Sequence, residues 1–376
     1  MNISHIHDCY GCGVCSIVCS HKLIDIQQNA DGFLEPVIVN PSACNNCGLC
    51  LSVCSFENDN NFPIPIYCYA GWSNDTVTRL KSTSGGVSSE LTRNLINQGY
   101  KFCGVRYNSS KNRAEHYIAD NVEEAQKAVG SKYLQSFTKD AFSSINRKQK
   151  YLVTGTPCQI GSFRRYIQKF HCESNFILVD FFCHGVPSKL LWDKYINEHK
   201  KSIGNILSAS WRNKIKGWRN SYCITLEGYK RTYQSWNNDD DFFTMFLGDA
   251  CLGKACYDKC KYKYDHSSAD IRIGDFWSLK YKDVKEGICA VIAFTEKGNN
   301  VLNSSNLHLE EQSFKEVADG QMQEMAKRPF YYKKAMKILH SERPLRDITY
   351  IIRSYKTIVR QIMKIKRSFS VFIKCK

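Results

Sequence analysis

The 376-residue sequence predicts three parts in order: an α+β module at the N-terminus, an α/β domain as the body, and a basic helical tail. Three observations carry this reading. Eight of the nineteen cysteines crowd into the first 54 residues at regular spacing. From Tyr67 onward, apolar strand-like runs alternate with amphipathic stretches, the pattern of an α/β core. After Pro344, apolar residues recur every three or four positions among lysines and arginines.

Composition narrows the class. Apolar residues at 43% and charged residues at 23% are globular values, and the length allows two to three domains. No window approaches the ~18 uninterrupted apolar residues of a membrane span, because Asp180 breaks the longest stretch, 176–183. Residues 1–5 lack the basic and apolar regions of an export signal, so a cytoplasmic chain is expected. Its cysteines then read as reduced ligands, not disulfides. Of the net charge of +16, all but +3 sits in residues 327–376, where fifteen Lys/Arg face only Glu342 and Asp347. A nucleic-acid enzyme would line its working groove with that charge, so no nucleic-acid partner is expected.

Cys9, Cys12, Cys15 and Cys19 form C-x2-C-x2-C-x3-C, and Cys44, Cys47, Cys50 and Cys54 repeat it 35 residues on. This is two-cluster ferredoxin spacing: consecutive sulfurs turn around one face of a 4Fe–4S cubane, and Gly11, Gly13 and Gly48 let the backbone wrap closely. The fourth cysteine of each run is expected to start a short helix and reach the other cluster. That gives Cys9, Cys12, Cys15 and Cys54 to one cluster, and Cys44, Cys47, Cys50 and Cys19 to the second. Residues 23–26 and 35–39 read as a hairpin around Asp31-Gly32. The module is thus ferredoxin-like and spans 1–62. Zinc is the competing occupant, but zinc sites seldom use third and fourth cysteines at these intervals twice over. Ser20 and Ser55 stand where such runs usually place proline. Asn-rich 57–61 and Phe62-Pro63-Ile64-Pro65 read as a linker.

In the body, small residues at 82–87 precede a helix expected over 88–97, an arrangement suited to phosphate or to a simple N-cap. The strand 151–153 leads to Thr154-Gly155-Thr156-Pro157-Cys158, and the strand 176–182 to Cys183-His184-Gly185. Both thiols would then lie at the C-terminal edge of a parallel sheet, where open α/β sheets bind ligands. Cys251, Cys256 and Cys260 follow in a basic, aromatic stretch. A shared site of Cys158, Cys183, Cys256 and Cys260, holding a third cluster, accounts for them more economically than loose buried or surface thiols.

Six stretches now carry a likeness: residues 81–87, 130–136, Thr154 to Gln159, Asp180 to Pro187, Lys216-Gly217-Trp218 and Ala269 to Trp277. In this order they resemble the coenzyme F-420 hydrogenase/dehydrogenase beta-subunit family, in its bacterial branch with an N-terminal ferredoxin module. The resemblance implies FAD bound beside an iron–sulfur cluster, an α/β flavin-binding domain (66–145 and 146–326), and a tail over 327–376. Carried over by motif, Ser84, Gly85 and Gly86 would hold FAD phosphates, and Lys132, Tyr133 and Thr156 would line the same cofactor. Cys256 and Cys260 depart from the family's C-x2-C by one residue, which makes Cys251 a substitute to consider.

Clusters feeding a flavin suggest one-electron delivery and two-electron chemistry. The expected function is an oxidoreductase between a ferredoxin-like carrier and a small molecule, nicotinamide or deazaflavin. The alternatives are a relay subunit without catalysis and a zinc-stabilised binding protein. His184 is the candidate proton donor, with a structural role as its rival. Trp218 and Arg219 could cover the flavin or clamp an anionic substrate, or form a surface turn. No hydrolytic triad or Walker loop is present.

In the tail, Ile348, Ile351, Tyr355, Ile358, Ile362, Ile365, Phe369 and Phe372 form one helical stripe, with Arg353, Lys356, Arg360, Lys364 and Arg367 largely off it. The basic bias favours an anionic membrane face or an acidic partner such as ferredoxin over docking on the body or a second subunit through a heptad-like seam, and a solvated face on a packed helix stands beside both.

Overall fold

The computed structural model describes residues 1–374 apart from Asn60 and Asn238, with side-chain surroundings as far as Met363. The stripe positions Ile365, Phe369 and Phe372, and the basic Lys364 and Arg367, lie beyond the described side chains.

The N-terminal hairpin forms where expected: β1 (Ile24–Gln28) pairs antiparallel with β2 (Leu34–Ile38), Ile24 opposite Ile38. Gly32 makes the turn at φ 83°, a region only glycine enters freely. The two cysteine runs share a backbone pattern. The residue before the second cysteine (Gly11, Asn46) and the residue after it (Gly13, Gly48) all have positive φ, from 56° to 76°. Alternation of this kind turns successive amides toward one concavity, which favours an anionic occupant. Gly13 and Gly48 also N-cap the helices Val14–Val18 and Leu49–Ser52. These helices carry the third cysteines, Cys15 and Cys50, while Cys19 and Cys54 follow the helix ends. The expectation that the fourth cysteine starts the helix is therefore corrected: the left-handed glycine caps the helix, which starts one residue before the third cysteine.

The body holds β3 (Tyr67–Ser73), β4 (Lys101–Asn108), β5 (Arg113–Ala119), β6 (Tyr151–Thr154), β7 (Phe176–Phe181), β8 (Ile206–Arg212), β9 (Tyr222–Gly228), β10 (Thr232–Trp236), β11 (Ile271–Asp275), β12 (Cys289–Ala293) and β13 (Leu307–Glu311). Eight strands form one sheet in the order β13-β3-β12-β11-β7-β6-β4-β5, and β10-β9-β8 form a separate antiparallel sheet. The centre, β4-β6-β7-β11, is parallel, and the flanking pairs are antiparallel. Parallel strands covered on both faces read as continuous apolar runs, and Phe176 to Val179 and all of β12 are buried. Asp180 is the exception. It is fully buried against equally buried Arg272, which donates from Nε and Nη2 at 2.8 Å each, and Ser267 Oγ donates at 2.7 Å.

β6, β7 and β11 end at the same edge, so Cys158, Cys183 and Asp275 emerge together. Thr156 caps the helix Pro157–Lys169 in a capping box with Gln159, and proline occupies its first turn, where no amide partner is needed.

The cysteine module packs onto this body. Thr138 Oγ1 donates to the Cys12 carbonyl at 2.9 Å, Gln135 bridges Tyr10 and Leu34, and Lys139 pairs with Asp25 at 2.6 Å. At the end of the module, Phe62 lies on Tyr262 and stacks on His266 with centroids 4.7 Å apart. Ser55, in place of the usual proline, is fully buried: its amide donates to Ser162 Oγ at 3.2 Å, and the two hydroxyls meet at 2.7 Å. Proline has no amide to give. Ser55→Pro is therefore expected to cost about 1–3 kcal/mol, read as a lower denaturant midpoint; an unchanged midpoint would contradict this contact.

His116 on β5 gives the fold an acid limit. Its ring is buried, Nε2 lies 2.9 Å from the Thr154 carbonyl and Nδ1 has no partner. Burial depresses its pKa to about 4. The unfolded state takes the proton first, so stability is full above about 6.5 and is lost as pH falls toward 4, by roughly 3 kcal/mol. Unfolding between pH 7 and 4 measures this, and His116→Gln should flatten the slope.

At the C-terminus, the helices Tyr332–Leu339 and Arg346–Lys374 follow. Leu345, Ile348 and Ile352 are fully buried, and Arg353 pairs with Asp241 at 2.9 Å. Farther along, Tyr355, Ile358, Ile362 and Met363 are exposed. No helix is long and apolar enough to cross a membrane among the described residues.

Candidate functional site

Three cavities follow one another through the molecule. The first lies in the cysteine module and is lined by Cys9, Cys12, Cys15 and Cys54, together with Gly11, Gly13 and Tyr10. The helix-end position of Cys54 lets it join the other run's cysteines. Burial pushes these thiols up, Cys54 to about 11, and the Gly11 amide donates to Cys9 Sγ at 3.3 Å. Cys19 and Cys44 are half-buried, Cys47 is exposed and Cys50 is buried, and Asn2 Nδ2 donates to Cys44 Sγ at 3.5 Å. Among the described residues, no three His, Cys, Asp or Glu side chains are grouped to hold a single metal ion.

The second cavity is lined by Cys158, Cys183, Cys256 and Cys260. All four were expected in one site: Cys158 and Cys183 come from the sheet edge, Cys256 and Cys260 from a separate segment, and one cavity is lined by them all. Cys256 sits in the helix Lys254–Asp258, and Cys260 follows the non-helical cap residue Lys259, so both line the cavity despite the extra residue of the spacing. Cys251 is corrected as a substitute: it is fully buried in the apolar core beside Leu252 and lines none of these cavities. Burial raises the Cys158, Cys183 and Cys256 thiols, Cys256 to about 12, so a metal-bearing group must displace their protons. Thr156 Oγ1 lies 3.2 Å from Cys158 Sγ. Cys9 and Tyr10 line both this cavity and the first.

The third cavity is the large one, about 460 Å³. Ser84, Gly86, Lys132, Tyr133, Thr156 and His184 all line it, so residues scattered over a hundred positions meet on one wall. It shares Ser136, Thr156, Cys183 and Gly185 with the four-cysteine cavity. Gly86 N-caps the helix Val87–Asn97 without any side-chain cap, and Ser88 and Ser89 of its first turn also line the space. An uncapped helix N-terminus opening on a cavity suits a phosphate.

Not every expected residue serves as foreseen. Gly85 turns away from the cavity: its amide donates to Cys289 Sγ at 3.1 Å, and a Cβ there would meet the Gly71 carbonyl at 2.4 Å. Its smallness serves strand packing, not phosphate contact. Lys132 reaches the cavity with its stem, but Nζ donates to the carbonyls of Ala128, Val129 and Gly130 at 2.7–3.0 Å. Burial pulls its pKa down to about 7, so it ties a turn together more than it offers a cation. Trp218 is neither a cover nor a surface turn. It is fully buried, stacks on Trp277 at 5.4 Å, and donates from Nε1 to Asp275 at 2.7 Å. Arg219 donates to the carbonyls of Trp277 and Ser278. Both hold Trp277, which lines the cavity.

His184 lines the large cavity with Nε2 2.7 Å from Asp249 Oδ1, not aligned for a hydrogen bond. Phe246 meets the ring edge-on at 4.9 Å. The sequence argument missed Arg212 and Tyr222. Buried Arg212 pairs with Asp275 at 2.9 Å, lies 4.3 Å from the Tyr222 ring centroid, and reaches Tyr133 Oη at 3.4 Å. Asp275 sits inside a stretch that carried the family likeness; nothing near Arg212 in the sequence marked it.

Residues 148–317 match the family model for the C terminus of the coenzyme F420 hydrogenase/dehydrogenase beta subunit, and residues 8–58 match a 4Fe-4S dicluster domain. The chain is thus an iron–sulfur oxidoreductase of electron-transfer type. Together the two matches support a coenzyme F420 hydrogenase beta-subunit-like chain. A chain of the F420-reducing NiFe hydrogenase complex from Methanosarcina barkeri is similar in structure, at 17% identity and a TM-score of 0.46, over 75% of this chain and 91% of that one. No functionally curated protein matches the chain.

Proposed function

We propose that the protein takes single electrons from a ferredoxin-like carrier and reduces or oxidises a small molecule on FAD held in the large cavity. One observation carries this: the three cavities adjoin in series, with Cys9 and Tyr10 at the first junction and Cys183 and Thr156 at the second. Cys9, Cys12, Cys15 and Cys54 would hold one 4Fe–4S cluster, and Cys19, Cys44, Cys47 and Cys50 another. Cys158, Cys183, Cys256 and Cys260 would hold a third. Ser84, Gly86, Tyr133 and Thr156 would hold the flavin, with its phosphates at the uncapped helix end. When bound, these groups supply one-electron storage and two-electron chemistry respectively.

The remaining work falls to the protein. Tyr10, Tyr262 and Phe56 pack the space between the first two cavities and exclude water from it. Arg212 and Asp275, a neutral buried pair, put donors and acceptors on the wall without net charge. His184 would be the proton donor at that wall, with Asp249 Oδ1 2.7 Å from its Nε2. Exposed Cys47 marks the side on which a carrier docks. The test is anaerobic mixing with a reduced one-electron carrier protein. Bleaching of the yellow flavin absorbance supports the reading; a flavin that responds only to hydride donors contradicts it.

The tail fits an anionic membrane face, with the protein peripheral and not embedded. Ile358 and Ile362 are exposed, and no acidic residue follows Asp347. Vesicles containing phosphatidylglycerol should float with the full chain at low salt and lose it when residues 354–376 are removed. Equal flotation of the shortened chain would contradict a role for the tail.

A further inference from the structure

An ammonium taken out of water costs several kcal/mol unless an opposite charge goes with it. The buried arginines of this region meet that condition: Arg272 has Asp180 and Arg212 has Asp275. Lys263 does not. It is 8% exposed, and among the described residues it forms no ion pair with a carboxylate. Its Nζ donates to the carbonyls of Cys183 and His184, the latter at 3.0 Å, which fixes it at the end of β7. It also lines the cavity of Cys158, Cys183, Cys256 and Cys260.

A buried cation without a carboxylate, set on the wall of a four-thiol cavity, calls for an anionic occupant. A 4Fe–4S core with four thiolates carries about −2 and gains one more negative charge on reduction. We infer that Lys263 is a positioning residue: it supplies the counter-charge to the group held by Cys158, Cys183, Cys256 and Cys260 and raises that group's reduction potential. This rests on the reading of that cavity as a cluster site. Because Lys263 holds the carbonyls of both Cys183 and His184, its charge sits where the four-cysteine cavity adjoins the large one. An electron is thereby favoured next to the cavity where the two-electron step takes place.

The experiment is a redox titration of the full chain, purified without air, followed by electron paramagnetic resonance. Lys263→Met should keep its iron and move one of three cluster potentials to a more negative value, leaving the other two in place. Lys263→Arg should restore most of that shift. Should Met at this position cost iron, Lys263→Gln retains a donor for the carbonyls while removing the charge, and the same negative shift is expected. A neutral variant with full iron and three unshifted potentials overturns the role of Lys263. A wild-type protein that titrates only two clusters overturns the cluster reading of the cavity itself, independently of the variants.

Discussion

Cys158→Ala is expected to lower the iron content by about four per chain while leaving a folded protein with the dicluster module intact. Carrier-driven bleaching of the flavin should then be largely lost, because Cys158 lies in the middle cavity, which shares walls with both of the others. Cys251→Ala is the matched control. Cys251 is fully buried and lies in the same stretch as Cys256, yet it lines none of the three cavities. Its removal should leave iron and flavin reduction unchanged at a modest cost in packing. Equal iron in the two variants would remove Cys158 from any cluster.

The second large effect is on stability. Asp180 and Arg272 are both fully buried, joined by two hydrogen bonds of 2.8 Å. Arg272 also donates to the carbonyls of Tyr264 and His266, so the pair anchors the loop that follows Lys263. Asp180→Asn leaves the guanidinium buried without its counter-charge and should cost about 3–5 kcal/mol in chemical unfolding. A double variant, Asp180→Leu with Arg272→Met, removes both charges and should recover a large part of that loss. A single variant that loses less than about 1 kcal/mol would mean that water already reaches the pair.

Much of this was legible in the chain, for physical reasons. Ferredoxin-type spacing led to the expectation that Cys54 joins the first run, and Cys54 lines the cavity of Cys9, Cys12 and Cys15. Apolar runs closed by Thr154 and by Cys183 marked adjacent parallel strands, since only covered strands tolerate such continuity. What stayed hidden depends on contacts across long separations. Nothing near Ser55 announces Ser162, and nothing near Arg212 announces Asp275, because each partner is specified only by the folded sheet. Lys132 misled for a similar reason. A lysine beside a glycine turn suggests a phosphate cation, but three carbonyls at the end of that turn were closer.

The most direct measurement is the iron, acid-labile sulfide and flavin content of the full chain prepared without oxygen. Three cysteine quartets and one flavin cavity predict about twelve iron, about twelve sulfide and one released flavin per chain. A protein that retains neither iron nor sulfide under those conditions would contradict the account at its root.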